Sequence, residues 1–287
     1  MKTRVISGVV AALVGALVVW QYYTPIFDIA AFAVYVIAVF EIYRTFKDGN
    51  SKVAVALLAV VGALIIFDRY YETNLIAIAV GFTVAAVFIV VFDFENIKFT
   101  SIASSVIFAA YVLFGIYNLV RLKRIMPMQQ YGYDAAFLVI LCAGIAWGGD
   151  IMAYFSGYFF GKHKMAPKLS PKKTIEGAVG GILGSVVLAL LMTYAYSKLP
   201  FSANTVVADI GKNYLSLIIF AALGSFVGMI GDLFASAVKR QQGIKDYGNI
   251  MPGHGGVLDR FDSVLLVAPL VSALSFVVVN RGGIFYV

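Results

Sequence analysis

Nine apolar runs, most of them near the length needed to cross a bilayer, follow one another from residue 5 to residue 279. They cover 5–23, 26–46, 53–67, 75–92, 102–120, 135–160, 175–196, 214–235 and 263–279, the third being short. In hydrocarbon a backbone must satisfy its own hydrogen bonds, so runs of about 20 apolar residues fold as spanning helices. No stretch between them is long enough for a soluble domain. Only 13% of the residues are charged, about half the usual fraction of a soluble domain, about 25%. The expected fold class is therefore an all-α polytopic membrane protein with about nine transmembrane helices.

The amino terminus, Met1-Lys2-Thr3-Arg4 before an apolar run, has the charge pattern of a secretory leader. No small-residue cleavage site followed by a soluble domain appears, so it is read as a retained first helix. The single cysteine, Cys142, sits inside the sixth run. One thiol makes no internal disulfide and suggests no zinc site, and a small apolar core residue is the expected role.

The net charge is +7, and its placement says more than its size. With nine spans, the amino terminus and the loops after even-numbered spans share one side. That side carries fifteen of the 22 Lys and Arg residues, and the other side seven. The positive-inside rule puts the richer side in the cytoplasm, as expected for an inner (cytoplasmic) membrane protein whose active loops face the cytosol. Arg121, Lys123 and Arg124 stand against that trend. No nucleic-acid partner is expected, because the basic residues adjoin spans and no binding module follows them.

The chain is read as one integral-membrane domain, 1–287. Residues 1–134 are plain scaffold helices, whereas 135–287 gather glycines, buried polar groups and longer loops. Asp150 lies deep in the sixth run, where an ionisable side chain is costly and marks a function. Gly149, Ala153, Gly157 and Gly161 recur at four-residue spacing beside it, a smooth face for a close helix neighbour. In Ser170-Pro171-Lys172-Lys173-Thr174, Ser170 reads as an N-cap and Pro171 as the first helical residue. Lys172 and Lys173 then fall in a first helical turn, a place that favours anions. Asp232, Ser236 and Lys239 or Arg240 form one polar stripe along the eighth helix.

That stripe leads into the most polar segment of the chain, SAVKRQQGIKDYGNIMPGHGGVLDRFD, residues 236–262. Lys239, Arg240, Lys245 and Arg260 suit phosphate. Asp246, Asp259 and Asp262 suit a divalent metal, which for Mg²⁺ means one or two carboxylates with substrate oxygens and water. A helix starting near Leu258 presents Asp259 and Asp262 on one face. Gly253-His254-Gly255-Gly256 allows backbone N–H groups to approach phosphate, with Pro252 stiffening the entry. The inventory fits phosphoryl or nucleotidyl transfer, which needs positioning and charge neutralisation more than covalent chemistry.

The spacing Ser236-x-Val238-Lys239-Arg240-x4-Lys245-Asp246-x-Gly248-x3-Pro252-x-His254-Gly255-Gly256-x2-Asp259-Arg260-x-Asp262 closely resembles the signature of the phosphatidate cytidylyltransferases. Ser-Pro-Lys-Lys-Thr-x-Glu-Gly, ending at Gly177, is similar to a second block of that family. Met251 replaces the usual Leu, Ile or Phe, and Ala235 stands where many relatives carry an acidic residue. The resemblance implies attack by a phosphate oxygen of phosphatidate on the α-phosphorus of CTP, giving CDP-diacylglycerol and pyrophosphate. It implies Mg²⁺, with a second metal ion left open, and membrane lipid as the setting. Asp246, Lys245, His254, Asp259 and Arg260 are then the catalytic candidates. Lys172, Lys173, Ser236, Lys239, Arg240, Gly255 and Gly256 are candidates for phosphate, and Asp246, Asp232, Asp150, Asp259 and Asp262 for metal. His254 is assigned to phosphate contact or to orienting a partner, because the attacking monoester is already largely ionised. The bland scaffold also leaves room for a homodimer.

Two other readings are weaker. A CDP-alcohol phosphatidyltransferase needs an Ala-Arg pair after Asp-x2-Asp-Gly, and Asp262 is followed by Ser263. An ion-coupled transporter using Asp150 and Asp232 predicts internal symmetry, and no repeat links the halves.

Overall fold

The computed structural model describes residues 2–49, 51–68, 75–199, 214–251 and 253–281. Pro252 lies outside them, as do Arg69 and Lys212, two of the seven basic residues counted on the side opposite the amino terminus. In chain order the elements are α1 (Lys2–Trp20), α2 (Pro25–Thr45), α3 (Lys52–Ile66), α4 (Leu75–Phe92) and α5 (Phe99–Ile125). The short α6 (Met128–Tyr131), α7 (Asp134–Phe160), β1 (Lys164–Ala166), β2 (Ser170–Thr174) and α8 (Ile175–Ser197) follow. Last come α9 (Tyr214–Gln241), the single turn α10 (Leu258–Phe261) and α11 (Val264–Arg281).

Each of the nine apolar runs coincides with one long helix among the described residues. Five of them (α2, α5, α7, α8 and α9) are long and apolar enough to cross a membrane. Large apolar side chains stand open on these and neighbouring helices, such as Trp20, Ile76 and Phe92, each at least 75% exposed. Water would not tolerate so many exposed apolar faces, but hydrocarbon does. The protein is an all-α, multi-pass membrane protein.

One local expectation is corrected. Ser170 does not cap a helix, and Lys172 and Lys173 are not in a first helical turn. Residues 170–174 form β2, paired antiparallel with β1. The helix begins one residue after Thr174, whose hydroxyl accepts the Gly177 N–H at 3.0 Å. Thr174 is β-branched, so it suits both the end of a strand and the extended N-cap conformation. In a strand successive side chains point to opposite faces. Lys172 is accordingly exposed, while Lys173 is half-buried.

By internal contacts the chain divides into two compact units, Met1–Val120 with Lys239–Arg260, and Arg121–Val238 with Phe261–Val287. In the first unit α2 and α3 touch at Gly62, where a Cβ would collide with the Tyr35 ring. Thr24 caps α2 through Ile26 N–H, and Ser51 caps α3 through Val53 N–H. The loop after α2 meets the start of α5, with Lys98 N donating to Gly49 O at 2.7 Å and Ser101 Oγ to Asp48 O at 2.8 Å.

The second unit is built on α7 against α8. Gly149, Ala153 and Gly157 of α7 face Gly177 and Gly181 of α8. A Cβ on Gly181 would lie 3.0 Å from both Gly149 O and Ala153 Cβ. Small residues let the backbones approach and replace side-chain packing by direct backbone contact. In the same unit, Gly224 of α9 rests on Ile145, and Gly228 rests on Val267 of α11.

Candidate active site

In the first unit residues 244–251 and 253–257 form a loop before α10, held in shape by two carboxyl groups. Asp259, its side chain only 4% exposed, receives Lys239 Nζ on Oδ1 at 2.7 Å. Its Oδ2 accepts Tyr247 N–H at 2.8 Å and Gly256 N–H at 3.0 Å. Lys239 also stands 5.3 Å from the centre of the Tyr247 ring, and Tyr247 packs on Phe108 of α5. The second carboxyl is Glu41 of α2, which is 1% exposed. It accepts Val257 N–H at 2.8 Å and Leu258 N–H at 2.9 Å.

The glycine turn is equally defined. Met251 N donates to Gly255 O and His254 N to Met251 O, closing a tight loop. Gly255 has φ +82°, a conformation that L side chains rarely adopt, and a Cβ there would sit 3.1 Å from Asp259 Oδ2. Glycine is required at this position. His254 turns its Nδ1 to the Ser7 hydroxyl of α1 at 2.9 Å.

Against this frame Lys245 and Asp246 are exposed at the loop surface. Among the described residues Asp246 makes no hydrogen bond or ion pair. Arg240 and Arg260 are exposed as well. The three acidic residues of the segment thus divide. Asp259 is consumed internally, Asp262 accepts from Ser263 N–H at 2.8 Å, and Asp246 stands open. Gly256 N–H, one of the expected phosphate donors, is given to Asp259.

The second unit carries its own polar cluster. Lys173 of β2 forms an ion pair with Asp232 of α9, and both side chains are 23% exposed. Ser236, one turn along, donates to Asp232 Oδ1 over a long 3.4 Å. Asp150 accepts the Ser263 hydroxyl at 2.7 Å, and both Asp232 and Lys173 act electrostatically on it. Two aspartates on apolar helices and one lysine therefore share a neighbourhood, which offsets the cost of placing charge among apolar side chains. At the hairpin, Glu176 accepts Lys162 N–H and His163 N–H and pairs with His163 Nδ1 at 2.6 Å. That contact fixes the strand entering α8.

Sequence reasoning missed Glu41, Ser7 and Ser263. Glu41 was detectable, because it is an ionisable residue inside an apolar run, the same signal that singled out Asp150. The two hydroxyls carried no comparable signal, since Ser is common in spanning helices as a small packing residue.

Among the described residues no three His, Cys, Asp or Glu side chains converge as a metal cage. A Mg²⁺ ion does not need one, since it commonly keeps one or two carboxylates together with substrate phosphates and water. The exposed Asp246 fits that manner of binding. The oxygens of Asp259 are engaged in this structure by Lys239 and two amides.

A loop fastened by two buried carboxyl groups, with Lys245 and Asp246 exposed on it and Arg240 and Arg260 exposed on the helices that flank it, is suited to hold a polyphosphate. The chain matches the model of the cytidylyltransferase family over residues 2–278. It is 32% identical to a phosphatidate cytidylyltransferase of Bacillus subtilis, with 94% of this chain and 96% of that protein covered. A phosphatidate cytidylyltransferase of Thermotoga maritima is 30% identical over 94% of each chain. One of Pseudomonas aeruginosa reaches 44%, over 48% of this chain and 46% of its own. The match runs through the apolar helices as well as the polar loops, and the chain accordingly belongs to the cytidylyltransferase family, as a membrane-embedded nucleotidyltransferase.

Proposed function

We infer that this protein transfers CMP from CTP to phosphatidate, giving CDP-diacylglycerol and pyrophosphate in phospholipid biosynthesis, and that the reaction depends on Mg²⁺. One observation carries the reading of the site: of the three carboxylates in the signature segment, only Asp246 is exposed and unpartnered among the described residues. The choice of substrates rests on the relatives, whose names state that reaction.

The chemistry follows from charge. A phosphate oxygen of phosphatidate attacks the α-phosphorus of CTP, the α–β bridging bond breaks, and pyrophosphate leaves with the bonding pair. The nucleophile is already ionised near neutral pH, so no strong base is required. Lys245, Arg240 and Arg260 neutralise phosphate oxygens from the loop, and Lys172 does so from the hairpin. Asp246, together with substrate phosphates, would hold Mg²⁺, which would supply further neutralisation of the charge that builds on pyrophosphate. Lys173, Asp232 and Asp150 form the polar set of the second unit, where a phosphate is able to displace Asp232 from Lys173. His254 orients the glycine turn through Ser7.

In the membrane we assign nine crossings, with the four shorter apolar helices (α1, α3, α4 and α11) added to the five long ones. The amino terminus and the signature loop then share the cytoplasmic side of the inner membrane. The bond between Ser7 near the start of α1 and His254 supports a shared side. Lys123, which opposed the charge rule, is only 2% exposed and is not a loop charge at all. The whole chain acts as one integral-membrane domain, and a homodimer would leave its loops accessible.

The test is label transfer from α-³²P CTP into lipid by purified protein with phosphatidate and Mg²⁺, compared with omission of each and with Asp246→Asn. Labelled lipid that needs all three components and is lost in the variant is the expected result. Folded protein that labels no lipid with any nucleotide or metal would overturn the reading.

A further inference from the structure

Glu41 belongs to none of the motifs, yet it reaches the signature loop from a helix more than two hundred residues earlier in the chain. Its two oxygens receive consecutive amides, Val257 N–H and Leu258 N–H, at 2.8 and 2.9 Å. Two glycines of the loop also depend on it. A Cβ at Gly248 or at Gly256 would stand 2.5 Å from Glu41 Oε1, so the carboxyl occupies the space that those missing side chains leave. Asp259 meanwhile takes the amides of Tyr247 and Gly256. Between them the two acidic residues satisfy four amides, on Tyr247, Gly256, Val257 and Leu258, and these bracket the turn that begins just after Asp246. Buried amides that lose an acceptor bear the full desolvation cost, so this set admits few alternative loop shapes.

We propose that Glu41 is a positioning residue for nucleotidyl transfer: buried in α2, it sets the backbone of the signature loop so that Asp246 and Lys245 face outward. The proposal rests on the functional reading above, but it predicts a change in loop order that is independent of turnover. In Glu41→Gln one amide faces an NH₂ group instead of an oxygen. Amide hydrogen exchange across 244–258 then accelerates about tenfold or more, from the loss of one charge-assisted bond. The Mg²⁺ concentration for half-maximal rate rises by a similar factor, about tenfold, since Asp246 is no longer presented in one place. Asp28→Asn is the control. It alters another buried carboxyl of α2, roughly 20 Å along the helix, and should leave exchange in the loop unchanged.

Gly248→Ala tests the same contact from the loop side, by pushing the carboxyl away without changing its chemistry. Loop exchange that stays at the wild-type rate in folded Glu41→Gln and Gly248→Ala would overturn the proposal. So would an equal acceleration in Asp28→Asn, or failure of both loop-contact variants to fold, since either outcome makes Glu41 a general stability residue. If wild-type protein labels no lipid while Glu41→Gln still loosens the loop, the functional reading fails and the positioning role stands.

Discussion

Two lysine–aspartate pairs lie in the two units, and they are built differently. Lys239–Asp259 is enclosed: the lysine side chain is 12% exposed, the aspartate 4%, and both carboxylate oxygens have partners. Lys173–Asp232 is more open, at 23% for each side chain, and among the described residues the one hydrogen bond Asp232 accepts beyond the ion pair is the long contact from Ser236. A buried pair whose members are fully engaged is a brace, because breaking it strands a charge. A half-open pair with spare acceptor capacity is able to trade partners. The residue types are the same in both pairs, and they differ in coordination and exposure.

The comparison is easiest to break at the brace. Asp259→Asn should cost about 3–5 kcal/mol of stability, the usual penalty for removing one partner of a buried pair. Denaturation in detergent would register it, and a negligible change would erase the distinction. Next in size, Asp246→Asn should lower kcat by about 10²- to 10³-fold with unaltered thermal stability, since nothing in the described structure leans on that side chain. Asp232→Asn should show the reverse balance to Asp259→Asn. A stability change of about 1 kcal/mol accompanies a fall of about tenfold in the KM for CTP, measured by initial rates, because phosphate no longer has to displace a carboxylate from Lys173. Last, Lys172→Gln should raise that KM only about threefold, an effect that shrinks further at high salt because the lysine is exposed.

Much of this was legible beforehand. All nine long helices follow from hydropathy, because an apolar run away from water must satisfy its backbone hydrogen bonds within itself. The glycine steps along α7 predicted a close helix neighbour, and the structure supplies α8 in that place. The signature supplied the polar residues, but not their division of labour. Asp246, Asp259 and Asp262 read alike as acids, and only the positions of Tyr247 N–H, Gly256 N–H and Ser263 N–H distinguish them. The hairpin was misread because Ser-Pro is a good helix start locally. The pairing of Lys164 with Thr174, together with the Thr174 cap, moved that start four residues on. Glu41 was passed over because residues 1–134 looked uniform, although a carboxyl inside an apolar run is costly wherever it occurs.

The hairpin before α8 carries one more consequence. Lys172 and Lys173 are neighbours in sequence, but a pleated strand sends them to opposite sides, one toward water and the other toward Asp232. Their roles are therefore a matter of parity. Deleting a single residue between Leu169 and Lys172 would keep every charge in the segment yet exchange the two sides. Over evolutionary time such a hairpin would tolerate changes of residue type more readily than changes of length, and gaps here should be rarer than substitutions.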